Sequence, residues 1–450
     1  MYVSRMLHKA VRNLVLTLVL VSLVVGCAQT AQPTPAATYK AGVATAWFDL
    51  MLRLVQETPG FTPPVASRAF GYAGVALYEA VVPGMPNYQT LAGQLNGLTP
   101  LPQPAAGENY HWPTVANSAL ADITRKLFAN ASSENMTAIQ ALEDRLAGEF
   151  KSTLDPAVFT RSVDQGRKIA DAIFNWSLSD RGHEGYLRNF PAGYTPPVGA
   201  GLWVPTPPKF SPALQPYWGA NRTFVLKNID ECQPPPPPPY SEDPASQFYK
   251  EAKEVYDTVS HLTPEQRDIA LFWADDAGKT PTPPGHSISI LSQVLKQKDA
   301  SLDVAAEAYA KVGIAVADGF ISCWYTKFNY NVLRPITYIQ KVIDPKWDTP
   351  VITDPVITPP FPEYPSGHSV QSEAAMQVLT DLFGDNFAFT DHTHDARGLA
   401  PRSFSSFFAA AQEAAISRLY GGIHYRSAIE QGIEQGKCIG KQVSALKFKK

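Results

Sequence analysis

Beyond residue 40, apolar positions recur every three to four residues far more often than every second one. Ala41 to Glu57 sets Trp47, Leu50, Leu54 and Val55 at helical spacing, which is the signature of an amphipathic helix. Similar spacing predicts helices over Pro63 to Val82, Val115 to Ala129, Glu134 to Phe150 and Ala157 to Leu178. It returns over Ser246 to Thr258, Thr263 to Ala274 and Ile288 to Leu295. Ala305 to Phe328 is the strongest helix, rich in Ala and free of Pro. Ser366 to Leu382 follows with Ser366 as a natural N-cap. Phe404 to Tyr420 should end at Gly421-Gly422, where glycine tolerates the left-handed dihedrals of a helix C-terminus. A last helix covers Ser427 to Val443. Alternating runs bounded by turns are sparse, so the fold class expected is all-α.

Proline breaks this pattern at defined places. The chain has 40 prolines, too many for uninterrupted elements, so long connecting loops are expected. Residues 182–230 are rich in Pro, Gly and aromatics, and Pro234 to Pro239 is an unbroken run that should form a stiff polyproline II strap. The organisation expected is a leader (1–26), a tether (27–40), an N-terminal helical region (41–230), the strap (231–244) and a C-terminal helical bundle (245–450).

The leader carries Arg5, Lys9 and Arg12 before the apolar run Leu14 to Val25. That run is shorter than the ~20 residues a membrane-spanning helix needs, and it reads as a signal peptide. It ends at Val24-Val25-Gly26-Cys27, which resembles a bacterial lipobox with Cys27 as the lipidated residue. Ala28 behind it implies outer-membrane sorting, so the expected location is exported and lipid-anchored. Among the other cysteines, Cys232 and Cys438 are expected to pair and Cys323 to be a buried thiol. A net charge of −3 with no internal basic block excludes nucleic acid as a partner.

Chemistry concentrates in three short segments. Lys327 stands six residues before Arg334-Pro335, then come Pro365-Ser366-Gly367-His368, and Ser417-Arg418 stand five residues before His424. Two arginines can fork N–H donors onto oxygens, a lysine adds a point charge, and a helix start offers free amides. Two histidines add proton or nucleophilic chemistry. The set suits a tetrahedral oxyanion.

Lys-x6-Arg-Pro, Pro-Ser-Gly-His and Ser-Arg-x5-His resemble, in order and spacing, the superfamily of vanadium-dependent haloperoxidases and type 2 phosphatidic-acid phosphatases. The resemblance implies an all-α fold of two four-helix bundles. It implies that Lys327, Arg334, Ser366, Gly367 and Arg418 bind the oxygens of vanadate or phosphate. It makes His424 the vanadium ligand, or the nucleophile of a phosphatase, and His368 the acid–base group. Trp324 and Phe361-Pro362-Glu363-Tyr364 resemble the chloroperoxidase-like branch, with Trp324 and Phe361 expected in the pocket. Trp273-Ala274-Asp275-Asp276 resembles a segment whose acid supports the acid–base histidine, and Asp276 is the better match. One position departs from the pattern. Many members carry Asp four residues after the second histidine, and here that residue is Ala428, so His424 is expected to lack a supporting carboxylate. Asp391-His392-Thr393-His394-Asp395 could bind a divalent cation, though such acid- and His-rich segments are usually solvated loops, and His286 reads either as a residue of the pocket mouth or simply as a loop residue.

The function this implies is a vanadate-dependent haloperoxidase that oxidises halide with hydrogen peroxide. A small organic acceptor and a membrane, reached through the Cys27 anchor, are the further partners. Two alternatives stay open: an acid phosphatase acting through a phosphohistidine at His424, with phosphate as its oxyanion, and a non-catalytic anion-binding lipoprotein.

Overall fold

The computed structural model describes residues 34–349 and 358–450. The leader and Cys27 lie outside the described residues. Thirteen α-helices and one two-stranded hairpin make up the regular structure there. The helices are α1 (Gly42–Glu57), α2 (Pro63–Val81), α3 (Trp112–Leu127), α4 (Ser133–Lys151), α5 (Pro156–Ser177), α6 (Gln247–Ser260) and α7 (Pro264–Phe272). They continue as α8 (Thr282–Gln297), α9 (Leu302–Tyr330), α10 (Pro335–Val342), α11 (Gly367–Phe383), α12 (Phe407–Tyr420) and α13 (Arg426–Ser444). The strands are β1 (Phe389–Asp391) and β2 (Arg402–Phe404), antiparallel, with Phe389 opposite Phe404.

The spine is α9, the helix with the strongest sequence signal. It packs on α2, α8, α11 and α13, and most of its residues are buried. Small residues let α2 lie against it at close range. A Cβ on Gly74 would fall 2.4 Å from the Tyr309 carbonyl oxygen, and one on Gly313 would fall 2.5 Å from that of Phe70. One buried core runs from Trp47 through Tyr309 and Leu379 to Phe448, so elements from both sides of the strap share it. A smaller apolar cluster joins α6 and α10 to the start of α13 through Phe248, Ile339, Tyr338 and Tyr425.

The strap is fastened at several points. Cys232 and Cys438 are joined by a disulfide across 206 residues, and Cys323 is a free buried thiol. The Tyr364 hydroxyl donates to the Pro235 carbonyl at 2.6 Å.

Several elements differ from the expectation. The helix expected over Phe404 to Tyr420 begins at Phe407, because Phe404 pairs with Phe389 in the hairpin. The helix expected over Ile288 to Leu295 starts six residues earlier, at Thr282, because Pro283 and Pro284 fall in its first turn, where no backbone donor is needed. The eight-residue α10 was not foreseen; Pro335 occupies its first position and Arg334 its N-cap. Among the described residues no helix is long and apolar enough to cross a membrane.

Candidate active site

The three segments converge at one end of α9. Lys327 lies in the last turn of α9, fully buried. Its ammonium donates to the carbonyls of Pro362 (3.1 Å), Glu363 (2.9 Å) and Pro365 (2.5 Å). Arg334 is also fully buried. Its Nε donates to the Phe361 carbonyl and its Nη1 to that of Ile423, both at 2.9 Å. Ser366 caps α11, its hydroxyl accepting from the Ser369 amide at 3.3 Å, while its own amide donates to the Ala428 carbonyl at 2.9 Å. Arg418, in the last turn of α12, donates to the Trp273 carbonyl at 2.9 Å. Gly422 then takes φ +70°, a left-handed turn that suits glycine and brings His424 back beneath Arg334.

His424 is held from both sides. Its Nε2 lies 3.2 Å from Arg334 Nη1, and its Nδ1 lies 2.7 Å from Glu363 Oε1. A guanidinium nitrogen can only donate, so Nε2 is an acceptor and the ring proton sits on Nδ1, donated to Glu363. The Tyr425 amide donates to the same carboxylate oxygen at 2.9 Å. Glu363 is thus the support that Ala428 was expected to deny His424. The carboxylate comes from the segment before Ser366 instead of the helix after His424.

These groups surround a cavity of about 370 Å³ lined by Trp324, Phe361, Gly367, His368, Arg418 and His424. Asp275 and Asp276 also reach its wall. Phe361 and Trp324 form its aromatic side, with Lys327 Nζ 5.2 and 5.9 Å from their ring centres. Gly367 adds no side chain, and a Cβ there would meet only Trp324, at 3.7 Å.

Burial sets the electrostatics. It pushes Lys327 down to about 7, with the charge of Arg334 acting the same way. It pushes Arg334 and Arg418 each down to about 10. His368 and His424 fall well below the usual histidine range, first through burial and then through nearby cations: Arg418 for His368, and Arg334, Lys327 and Arg418 for His424. Both imidazoles are therefore neutral at pH 7. Burial raises Glu363 to about 8 against the pull of Arg334 and Lys327.

The expected support for His368 takes a different form. Its ring is bonded to the backbone of Trp273, and the acid whose charge acts on it is Asp275. Asp276 sits in the cavity wall, raised by burial and opposed by Arg418. His286 is not at the mouth. It is buried in α8, with Asp275 at 2.8 Å and Asp391 at 2.7 Å. His394 and Asp391 are buried too, so the 391–395 segment is only partly a solvated loop.

Comparison with known proteins agrees with this geometry. The family description "VCPO second helical-bundle domain" matches residues 307–449. The crystal structure of a bacterial vanadium-dependent iodoperoxidase shares 39% identity and superposes with a TM-score of 0.81, over 90% of this chain and 96% of that one. The vanadium chloroperoxidase of Curvularia inaequalis is 23% identical over 81% of this chain and 74% of its own length. A bacterial vanadium-dependent chloroperoxidase shares the fold at 16% identity, with a TM-score of 0.64 over 86% of this chain and 92% of that one. The chain belongs to the vanadium-dependent haloperoxidase family.

Membership frames the groups left over in the cavity. Arg334 Nη2, Arg418 Nε and His368 Nε2 are buried without a hydrogen-bond partner among the described residues. Leaving a buried charged donor unpaired costs several kcal/mol. Two guanidinium donors and one neutral imidazole nitrogen, on Arg418 and His368 of the cavity lining and on Arg334 beside His424, fit a tetrahedral oxyanion. Glu363 was quoted in the sequence only as part of an aromatic-proline approach; no local signal tied it to a histidine 61 residues away.

Proposed function

We propose that the chain binds vanadate in this cavity and uses hydrogen peroxide to oxidise halide, iodide foremost, to hypohalous acid, with water as the other product. The observation that carries the reading is the set of unpartnered buried atoms Arg334 Nη2, Arg418 Nε and His368 Nε2 around one cavity. His424 would bind vanadium through Nε2, because Nδ1 is committed to Glu363. Arg334 and Arg418, with the Ser366 hydroxyl and the Gly367 amide at the start of α11, would hold the oxygens, and Lys327, whose three N–H donors go to carbonyls, would add its charge behind them. Bound there, vanadate supplies a Lewis acid that activates peroxide oxygen toward halide without a change of oxidation state.

The protein's own groups do the rest. His368 is neutral at pH 7 and accepts a proton from incoming peroxide. The Trp273 backbone fixes the orientation of that ring. Lys327, locked by three carbonyls, places its charge without moving. Trp324 and Phe361 offer a polarisable apolar wall suited to a large soft halide, in keeping with the iodoperoxidase relative. Asp276 tempers the charge of Arg418.

A second reading gains from Glu363. Phosphoryl transfer needs a well-oriented histidine nucleophile, and the Glu363–His424 pair provides one. One experiment separates the two: hydrolysis of a phosphate ester by the vanadate-free protein is measured beside peroxide-dependent iodide oxidation by the vanadate-loaded protein. Iodide oxidation that requires added orthovanadate supports the first reading. Brisk ester hydrolysis with no halide oxidation replaces it.

We also propose export and lipid anchoring through Cys27. The Cys232–Cys438 disulfide suits an oxidising compartment.

A further inference from the structure

Behind the cavity wall lies a second cluster that the halide chemistry does not use. Asp275 comes from the loop after α7, His286 from the first turns of α8, and Asp391 and His394 from the end of β1 and the turn beyond it. All four are buried. His286 Nδ1 is 2.8 Å from Asp275 Oδ2, and His394 Nε2 is 3.2 Å from Asp275 Oδ1. The ligand atoms of Asp275, His286 and His394 all lie within 4.8 Å of one another.

We propose that Asp275, His286 and His394 form a structural centre for a divalent cation, zinc by its donor set, that braces the wall of the active site. Three observations carry this. First, Asp275 Oδ1 and His394 Nε2 face each other, yet both lack a hydrogen-bond partner among the described residues. They are close enough to bond and not aligned to do so, as two ligands of one ion would be. Second, the 3.2 Å from Asp275 Oδ1 to His394 Nε2 is close to the roughly 3.3 Å between neighbouring ligands of a tetrahedral ion with bonds of about 2.0–2.1 Å; His286 Nδ1, hydrogen-bonded to Asp275 Oδ2 at 2.8 Å, would release its proton and move apart by about half an ångström to join them. Third, the outer nitrogen of His286 is already engaged. Its Nε2 lies 2.7 Å from Asp391 Oδ2, the carboxylate–histidine–metal arrangement that fixes a ligand's tautomer. Asp391 is itself held, with Oδ1 accepting from the Thr393 amide at 2.9 Å and hydroxyl at 2.6 Å.

Charge points the same way. Two buried carboxylates flank His286; an imidazolium there offsets one of them, whereas one divalent cation with two neutral imidazoles offsets both. Imidazole and carboxylate donors with no thiolate suit zinc. Asp275 borders the cavity, from which water can complete the coordination. The centre touches function through Trp273. Its ring stacks on His286 with centres 4.4 Å apart, and its carbonyl accepts from Arg418. An ion here would fix the loop that positions both Arg418 and His368.

The test uses the untagged full-length protein, treated with chelator, dialysed and titrated with zinc chloride in a calorimeter, with metal content measured by mass spectrometry. The expected result is one zinc per chain and a higher melting temperature with zinc present. His394→Ala should weaken binding by more than about 100-fold, beyond the ~10–100-fold cost of losing only an outer partner of a metal ligand. His392→Ala, which removes an exposed histidine two residues away, should bind as the parent does. If His394→Ala fails to fold, cobalt(II) in the parent protein decides: a tetrahedral nitrogen–oxygen site gives visible absorption. Overturning results are a chelated parent that takes up no stoichiometric zinc, a His394→Ala protein that binds as tightly as the parent, or cobalt uptake with no tetrahedral spectrum.

Discussion

Glu363→Gln tests the arrangement that sequence reading missed. In the parent, one carboxylate oxygen accepts from His424 Nδ1 at 2.7 Å and from the Tyr425 amide at 2.9 Å. Glutamine keeps an acceptor oxygen in the same place, so the fold and both bonds can persist. What is lost is charge. A bond to a charged acceptor contributes roughly 1.5–3 kcal/mol and a neutral one about 0.5–1.5, a difference near 1–1.5 kcal/mol. That corresponds to about tenfold in vanadate affinity, within the ~10–100-fold cost typical of removing an outer partner of a metal-bound histidine. Glu363→Ala goes further and leaves two buried donors without an acceptor, at roughly 1–3 kcal/mol each, so it should also lower stability. The assay is equilibrium dialysis of orthovanadate against vanadate-free protein at about pH 9, above the value of about 8 to which burial raises Glu363, with urea unfolding in parallel. Glu363→Gln should bind vanadate about tenfold more weakly at unchanged unfolding midpoint, and Glu363→Ala should lose both affinity and stability. A Glu363→Gln protein with parental vanadate affinity would refute the reasoning.

Three further outcomes are expected. His368→Ala should cut turnover by roughly 10²–10⁴ while dialysis still finds vanadate bound; full turnover would remove His368 from proton transfer. Sulfate, whose charge is constant between pH 5 and 9, should bind the vanadate-free protein more weakly as pH rises through about 7, where buried Lys327 loses its proton. An anion favours the charged lysine, so binding above that pH must take up a proton; a flat profile contradicts this, and Lys327→Gln should remove the step near 7, leaving the loss near 8 where Glu363 ionises. Reduction of the Cys232–Cys438 disulfide, which spans 206 residues, should lower unfolding free energy by about 2–5 kcal/mol, and an unchanged urea midpoint after reduction would show that the crosslink does not constrain the unfolded chain.

Local features of the fold were legible because they have local causes. Apolar spacing located most of the long helices, and Ser366 and the Gly421-Gly422 turn marked two of their ends. The short α10 and three-residue strands carry too few positions for a period to show. The anion-binding residues were legible because their types and spacing are distinctive. Their partners were not. Glu363 meets His424 only after α9, the 362–365 segment and the turn at Gly422 are assembled. His286, Asp275 and Asp391 come from three elements, and no sequence window contains them together. The missing Asp at position 428 suggested a weakened histidine because a substitute carboxylate from elsewhere in the chain cannot be seen in one dimension. With Glu363 in that role, Ala428 is buried and its carbonyl accepts from the Ser366 amide.

The most direct measurement is triiodide formation from iodide and hydrogen peroxide by the purified protein, before and after orthovanadate is added, with His424→Ala in parallel. The expected result is activity in the parent only after vanadate is supplied, and none from His424→Ala at the same vanadate concentration. A parent protein that stays silent when loaded, or a His424→Ala protein that responds to vanadate as the parent does, would contradict the assignment of this cavity as the site of halide oxidation.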